Sequence, residues 1–339
     1  MTKYHLPYGS TAEGPWSLRV TPEQSGWAFC GLRVLELAPG AEHSFATGPD
    51  ELLVMPMEGG GVVECESRRF ELAGRDGVFG GVTDFAYVPR DAEVRVSSGG
   101  DELLVMPLEG GGVVECESRR FELAGRDGVF AGVSDFAYVP RDAEVRVSSA
   151  GGGRFALPSS RAANRLDPAY GPAEEVPVEL RGAGQASRQV NNVCTPASFP
   201  ADKMIVVEVL TPGGNWSSYP PHKHDEQRTD EVELEEVYYF EIGGADGLGY
   251  QRVYSSGPDH QIDVCAEVRD GDVVLVPYGY HGPSMAAPGY DMYYLNVMAG
   301  PAEERAWRFC DDPAHAWIRG TWDGQAIDPR LPMTGPGGS

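Results

Sequence analysis

His222-Lys-His224, Glu236-Val-Tyr-Tyr-Phe240 and Gly271-Asp-Val-Val-Leu-Val-Pro-Tyr-Gly-Tyr-His281 are the stretches on which the reading of this chain turns. Side chains alternate faces along a β-strand, so His222 and His224 point the same way. Glu236 stands at the head of an aromatic, strand-forming run, and His281 follows a buried-strand pattern closed by a Pro/Gly turn. Two imidazoles from one strand, with a carboxylate and a third imidazole from later strands, make three nitrogens and one oxygen. That donor set suits a divalent ion such as Zn, Mn, Fe or Ni, with coordination positions left for a substrate. His-x-His alone is a weak signal. Here the chain has 7 histidines, and three of them fall in this constellation. The fold implied around it is all-β.

Working outward, 339 residues are enough for two domains of ordinary size. A formal charge of −24 argues against nucleic acid and against anionic membrane surfaces. Met1-Thr-Lys-Tyr-His-Leu-Pro7 has no apolar signal core, and no stretch approaches about 18 apolar residues, so a cytoplasmic protein is expected. Six cysteines lie far apart with no Cys-x-x-Cys, and are expected to be free thiols without chemistry.

Residues 50–98 and 101–149 repeat one another without gaps. They differ only at Met57/Leu108, Gly80/Ala131 and Thr83/Ser134. A single near-identical copy is no solenoid, which needs three or more units. Each copy reads as short strands (Leu52–Pro56, Gly61–Glu66, Arg68–Leu72, Phe85–Val88 and Glu93–Ser97 in the first) separated by Gly- and Asp-rich turns, the meander of a small jelly-roll barrel. One barrel has room for one copy. Neither copy carries a histidine, so the repeat is scaffold. The expected organisation is an N-terminal metal-free barrel over 1–153, a linker over 154–178, a metal-binding barrel over 179–300, and short helices (302–310 and 313–319) with a tail over 301–339.

The motif set then resembles a known family. Pro220-Pro-His-Lys-His-Asp-Glu226, Leu234-Glu-Glu-Val-Tyr-Tyr-Phe240, Gln251-Arg-Val-Tyr254, Val276-Pro-Tyr-Gly-Tyr-His-Gly-Pro283 and Pro288-Gly-Tyr-Asp-Met-Tyr-Tyr-Leu-Asn-Val-Met-Ala-Gly-Pro301 are similar to the 5-deoxyglucuronate isomerases of myo-inositol catabolism, and Trp307, His315-Ala-Trp317 and Trp322 fit too. The resemblance covers nearly the whole chain apart from one copy of the repeat. It implies a bicupin, two cupin jelly-roll β-barrels with the metal site only in the second. The implied activity is a metal-dependent aldose–ketose isomerisation of 5-deoxy-D-glucuronate to 5-dehydro-2-deoxy-D-gluconate, with a sugar acid as the small-molecule partner and a homo-oligomer as the expected assembly. One departure concerns the glutamate. The general cupin pattern places it a few residues after His-x-His, whereas an acidic stretch, Asp225–Glu235, intervenes here. Glu226, Glu233 and Glu235 are therefore alternatives to Glu236, which is favoured because a strand follows it.

For the chemistry, the metal ligands expected are His222, His224, Glu236 and His281. Tyr238, two residues beyond Glu236 on the same face, Asp291 and Tyr293 are candidates for proton transfer. Arg252 is the first choice for the substrate carboxylate, because a guanidinium grips it bidentately, and Lys223 is second although alternation turns it away. Tyr254 and Tyr280 are candidates for hydroxyl contacts. An Fe(II) cupin dioxygenase with the same ligands and a non-catalytic sugar-acid-binding bicupin are the rival readings.

Overall fold

A computed structural model describes residues 4–37, 41–46, 50–56, 59–65, 68–77, 102–141, 143–258 and 260–334. It is built almost entirely of strands, and no described helix is long and apolar enough to cross a membrane. Cys30, Cys116, Cys194, Cys265 and Cys310 are in no disulfide.

The chain divides into two compact units, and the division is not a simple cut. One unit gathers the segment up to Ser10 with Val178–Asn192 and Val206–Met333; the other gathers Thr11–Pro177 with Val193–Ile205 and the C-terminal tail. The N-terminal segment therefore does not belong with 11–153 as expected. His5–Leu6 adds a strand to Val273–Val276, and Asp272 fastens it by accepting from Tyr8 N at 3.0 Å and pairing with His5 Nε2 at 3.1 Å. Residues 154–178 are likewise no free linker. Gly153–Arg161 is a strand paired along its length with Cys30–Leu37, and Ala169–Gly171 pairs with Phe136–Val139.

The unit holding the repeat is a 12-stranded sheet. Its core gathers alternate residues of the second copy, among them Leu103, Val105, Val114, Phe121 and Leu123, together with Phe155 and Leu157. The predicted turn at Glu109-Gly-Gly-Gly112 does not form. Glu102–Cys116 runs as one strand, and the glycines are absorbed as register shifts between Gly110 and Gly112. In the first copy, Asp50–Pro56, Gly59–Cys65 and Arg68–Gly77 are strands, whereas the predicted Phe85–Val88 and Glu93–Ser97 lie outside the described residues. Equivalent strands of the two copies pair in parallel and in register: Arg69 with Arg120, Phe70 with Phe121, Cys65 with Cys116. Leu52 and Leu103, equivalent positions in the repeat, share one register partner, Val139.

The other unit is two sheets. The first orders His5–Leu6, Val273–Val276, Glu235–Ile242, Met292–Ala299, Ile205–Thr211, Arg188–Cys194 and Val178–Arg181. The second orders Asp263–Val268, Gly249–Tyr254, Tyr280–Ala286, His222–Lys223 and Cys310–Asp311. The sequence pattern predicts strands at Val237–Ile242, Gly249–Tyr254, Asp272–Val276 and Met292–Met298, and each falls within two residues of the observed Glu235–Ile242, Gly249–Tyr254, Val273–Val276 and Met292–Ala299. The helix expected over 302–310 is absent, because Cys310–Asp311 pairs with His222–Lys223 instead. The one expected over 313–319 is a short 3-10 segment at Ala316–Trp322.

Candidate metal centre

Register brings the histidines together. His222 is the direct cross-strand partner of His281, and Glu236 heads Glu235–Ile242, beside Val276 on one flank and Met298 on the other. The backbone on either side of His281 needs glycine. Gly279 lies at φ +93°, and a side chain there would strike Tyr254 O at 2.6 Å. Gly282 lies at φ +95°, and a Cβ there would fall 1.7 Å from Ser218 O.

The acidic stretch between His224 and Glu236 closes on Lys223. The ammonium donates to Asp225 at 2.6 Å and to both oxygens of Glu231 at 2.9 and 3.1 Å, and pairs with Glu226 at 3.2 Å. Glu231 also accepts from the backbone of Asp225 and Glu226. Leu234 N then donates to His224 O at 2.8 Å, and the chain enters the Glu236 strand. The extra residues thus form a loop around a buried cation. Glu226, Glu233 and Glu235 are not in the donor cluster that contains Glu236.

Each imidazole is held by its Nδ1. His222 Nδ1 lies 3.1 Å from Pro220 O, His224 Nδ1 2.9 Å from Leu234 O and His281 Nδ1 3.3 Å from Gly279 O. A neutral imidazole has one N–H, so donation from Nδ1 leaves a lone pair on Nε2. Glu236 Oε2 stands 3.1 Å from His224 Nε2 and 3.1 Å from His281 Nε2. The His224 contact meets hydrogen-bond geometry, whereas the His281 nitrogen makes no hydrogen bond at that distance. Lone pairs converging in a buried place require positive charge between them. Two donors bound to one ion at about 2.1 Å stand roughly 3.0–3.4 Å apart for angles between square and tetrahedral, which the observed spacing matches. His224, Glu236 and His281 are all buried, and their donor atoms lie within 4.8 Å of one another. His222 is outside this triad, but its ring centroid is 4.5 Å from that of His281 and it lines the same cavity.

Burial, reinforced by His281 and His224, pushes His222 well below the usual imidazole range, leaving it a neutral donor. Burial would also lower His224, but the Glu236 carboxylate outweighs it and raises the ring. Burial would raise Glu236, and the two histidines overcome this and hold it well below the carboxylate range.

A cavity opens beside this triad, lined among others by His222, His224 and Glu236. Tyr238 lines it as expected, its hydroxyl 2.8 Å from Ser218 Oγ. Burial and Glu236 raise the phenol well above its ordinary range, so it keeps its proton. The other candidates are elsewhere. Arg252 faces outward and is engaged by Asp263, Val253 O and Val264 O. Lys223 is consumed by its loop. Tyr293 points to the opposite face, donating to Glu208 at 3.0 Å. Asp291 caps a turn through Gly213 N at 2.7 Å, and Tyr254 donates to Asp312 beside Tyr280. The cavity is instead lined by Tyr294 and Asn296 from the same strand as Tyr293, by Trp307 and Phe309, and by Arg181, Arg188 and Arg319. The Tyr294 and Asn296 signal was available in register: Phe240 pairs with Tyr294 and Tyr238 with Asn296, and directly opposed residues share a face.

The profile of the KduI/IolB family matches residues 5–101 and 95–318, so the two matches together span most of the chain and meet at the junction between the repeats. The 5-deoxy-glucuronate isomerase of Geobacillus kaustophilus HTA426 is 38% identical over 321 residues, covering 94% of this chain and 96% of that protein. The crystal structure of an IolB-like protein from Salmonella typhimurium LT2 superposes with a TM-score of 0.69 at 29% identity, covering 93% of this chain and 98% of that one. Oxalate decarboxylase of Bacillus subtilis, at 10% identity and a TM-score of 0.52, shares the fold alone, an all-β bicupin, over 91% of this chain and 79% of its own. On the extent of the profile match and of these alignments, the chain belongs to the KduI/IolB family.

Proposed function

We infer that this protein is a 5-deoxy-glucuronate isomerase, an aldose–ketose isomerase that converts 5-deoxy-D-glucuronate to 5-dehydro-2-deoxy-D-gluconate with the help of a divalent metal ion. The reading of the site is carried by one observation: Glu236 Oε2 lies 3.1 Å from the Nε2 atoms of two histidines whose Nδ1 atoms face backbone carbonyls. His224, Glu236 and His281 are the proposed ligands, with His222 completing the set, and Zn, Mn, Fe and Ni all suit these donors. A bound ion supplies Lewis-acid polarisation of the substrate's carbonyl and neighbouring hydroxyl oxygens.

The remaining work falls to the chain. Walls from buried Val190, Val207 and Val209 and half-buried Phe309 keep bulk water from the reacting carbons. Tyr238 stays a neutral phenol, so it acts as a donor; with Ser218 Oγ it forms a hydroxyl pair able to hold a proton beside Glu236 and pass it on. Asn296, whose amide nitrogen is buried without a hydrogen-bond partner, offers a donor to a substrate hydroxyl.

Turnover of 5-deoxy-D-glucuronate by the purified protein tests this, measured before and after chelation and after anaerobic return of Zn, Mn, Fe or Ni, with oxygen uptake followed in parallel. Turnover without oxygen uptake that disappears with chelator and returns with one ion is expected. Turnover indifferent to chelation would sink the metal role, and oxygen consumption would point to a dioxygenase.

A further inference from the structure

Three guanidinium groups line the cavity, and their partners are unequal. Arg181 is held bidentately by Glu179 at 2.9 and 2.7 Å. Arg319 is held bidentately by Asp311. Arg188 is 5% exposed, donates to Ala186 O at 3.0 Å, and lies over the Trp322 ring with its carbon 5.7 Å from the centroid. Among the described residues it is in no ion pair with a carboxylate, although a buried cation is expensive unless paired.

The strand pairing deepens the imbalance. Arg188 is the direct cross-strand partner of Arg181, and like charges placed opposite one another destabilise a sheet. Burial first, and then the neighbouring Arg181 and Arg319, lower the Arg188 guanidinium to about 10, where it is still charged at neutral pH. The same cavity holds the unpartnered Asn296 amide nitrogen. A buried guanidinium with no carboxylate bound to it, lining one cavity with a second unsatisfied donor, is a place prepared for an anion.

We propose that Arg188 is the specificity-determining residue for the sugar-acid carboxylate: its guanidinium takes the carboxylate end of the substrate while the carbonyl end faces His224, Glu236 and His281. This rests on the isomerase reading, and it replaces Arg252 in the role assigned from sequence. The planar fork suits bidentate capture, and the anion neutralises a charge that the fold leaves open. Neutral sugars would leave both Arg188 and its field unanswered, so the residue selects acids by rejecting them.

The test is made by binding, so that it stands apart from turnover. D-glucuronate and its neutral counterpart D-glucose are titrated calorimetrically into metal-loaded wild-type protein and Arg188→Gln, with metal content measured in both. The wild type is expected to prefer the acid, and R188Q to bind it about 10- to 100-fold more weakly with metal content and glucose binding unchanged. R188Q that keeps the wild-type preference for acid over neutral sugar would overturn the assignment. Should R188Q not fold, Arg188→Lys, which keeps the charge and loses the fork, carries the test. Weakened acid binding by R188K supports Arg188, and undiminished acid binding overturns it. Absence of 5-deoxy-D-glucuronate turnover by the wild type would count against the isomerase reading and leave the acid preference of Arg188 to be judged by binding alone.

Discussion

Single residues carry the chemistry, and their predictability from sequence followed from how far apart their partners lie. His222, His224, Glu236 and His281 were legible because donor type and strand alternation suffice to mark them. His281→Ala should lose bound metal and at least about 100-fold in kcat while retaining its far-ultraviolet dichroism, since removing even an outer partner of a metal ligand costs 10- to 100-fold. Elemental analysis beside turnover checks it, and stoichiometric metal in that variant would remove His281 from the centre. The substrate-facing residues were not legible. The sequence points to Tyr293 and does not single out Tyr294, because Met292–Ala299 is buried on both faces and hydropathy shows no alternation from which to read the inward side. Arg252 could have been rejected, for its strand does alternate, with Gln251 and Val253 inward and Arg252 outward. Arg252→Ala should therefore leave KM for the sugar acid within about twofold, the scale of an exposed ion pair; a tenfold rise would return it to the site.

At the scale of elements, the loop between His224 and Glu236 shows how an insertion is accommodated without moving a ligand. Its carboxylates converge on Lys223, whose ammonium they hold charged against the cost of burial. Lys223→Met leaves Asp225 and Glu231 without their main cation, which should destabilise this unit by about 3–5 kcal/mol at neutral pH. The sign with pH follows from Asp225. Burial would raise its carboxyl, but Lys223, Ser256 and Gly279 N hold it well below the usual range. Its contribution is therefore present above the unfolded carboxylate pKa and fades as pH falls. Urea unfolding of metal-free wild type and K223M at pH 7.5 and about pH 3, below the unfolded carboxylate pKa, should show the gap narrowing in acid, and an equal gap at both values would refute the ion cluster as its source. Strand positions in this region were readable from alternation and turn residues. The C-terminal helices were not, because Cys310–Asp311 takes its conformation from pairing with His222–Lys223, a partner almost ninety positions away.

For the whole molecule, the all-β bicupin class was readable from motif order, and the exchange of segments between the two units was not. Nothing local in residues 4–10 says that they join the strand of Val273–Val276. The repeat was plain in the sequence, and the structure adds that its copies answer to the same partner, Val139, and lie against each other in register. Redundancy of that kind means one copy can be removed. Deleting residues 50–100 should leave a folded chain with wild-type metal content and kcat within about threefold, because the second copy supplies the core residues and itself pairs with Val139, with Val145–Ser148 and with Gly153–Ser160. Loss of metal or of solubility on deletion would show that both copies are required. The opposed guanidinium groups of Arg181 and Arg188 have a further consequence. Repulsion that an anion relieves belongs to the ligand-free state only, so occupancy by the acid becomes part of the heat resistance of the protein. At a hundred times its Kd a ligand of the native state adds about 2.7 kcal/mol. D-glucuronate should accordingly raise the melting temperature of the wild type and not that of R188Q, which turns a thermal scan into a gauge of how much acidic metabolite the enzyme is holding.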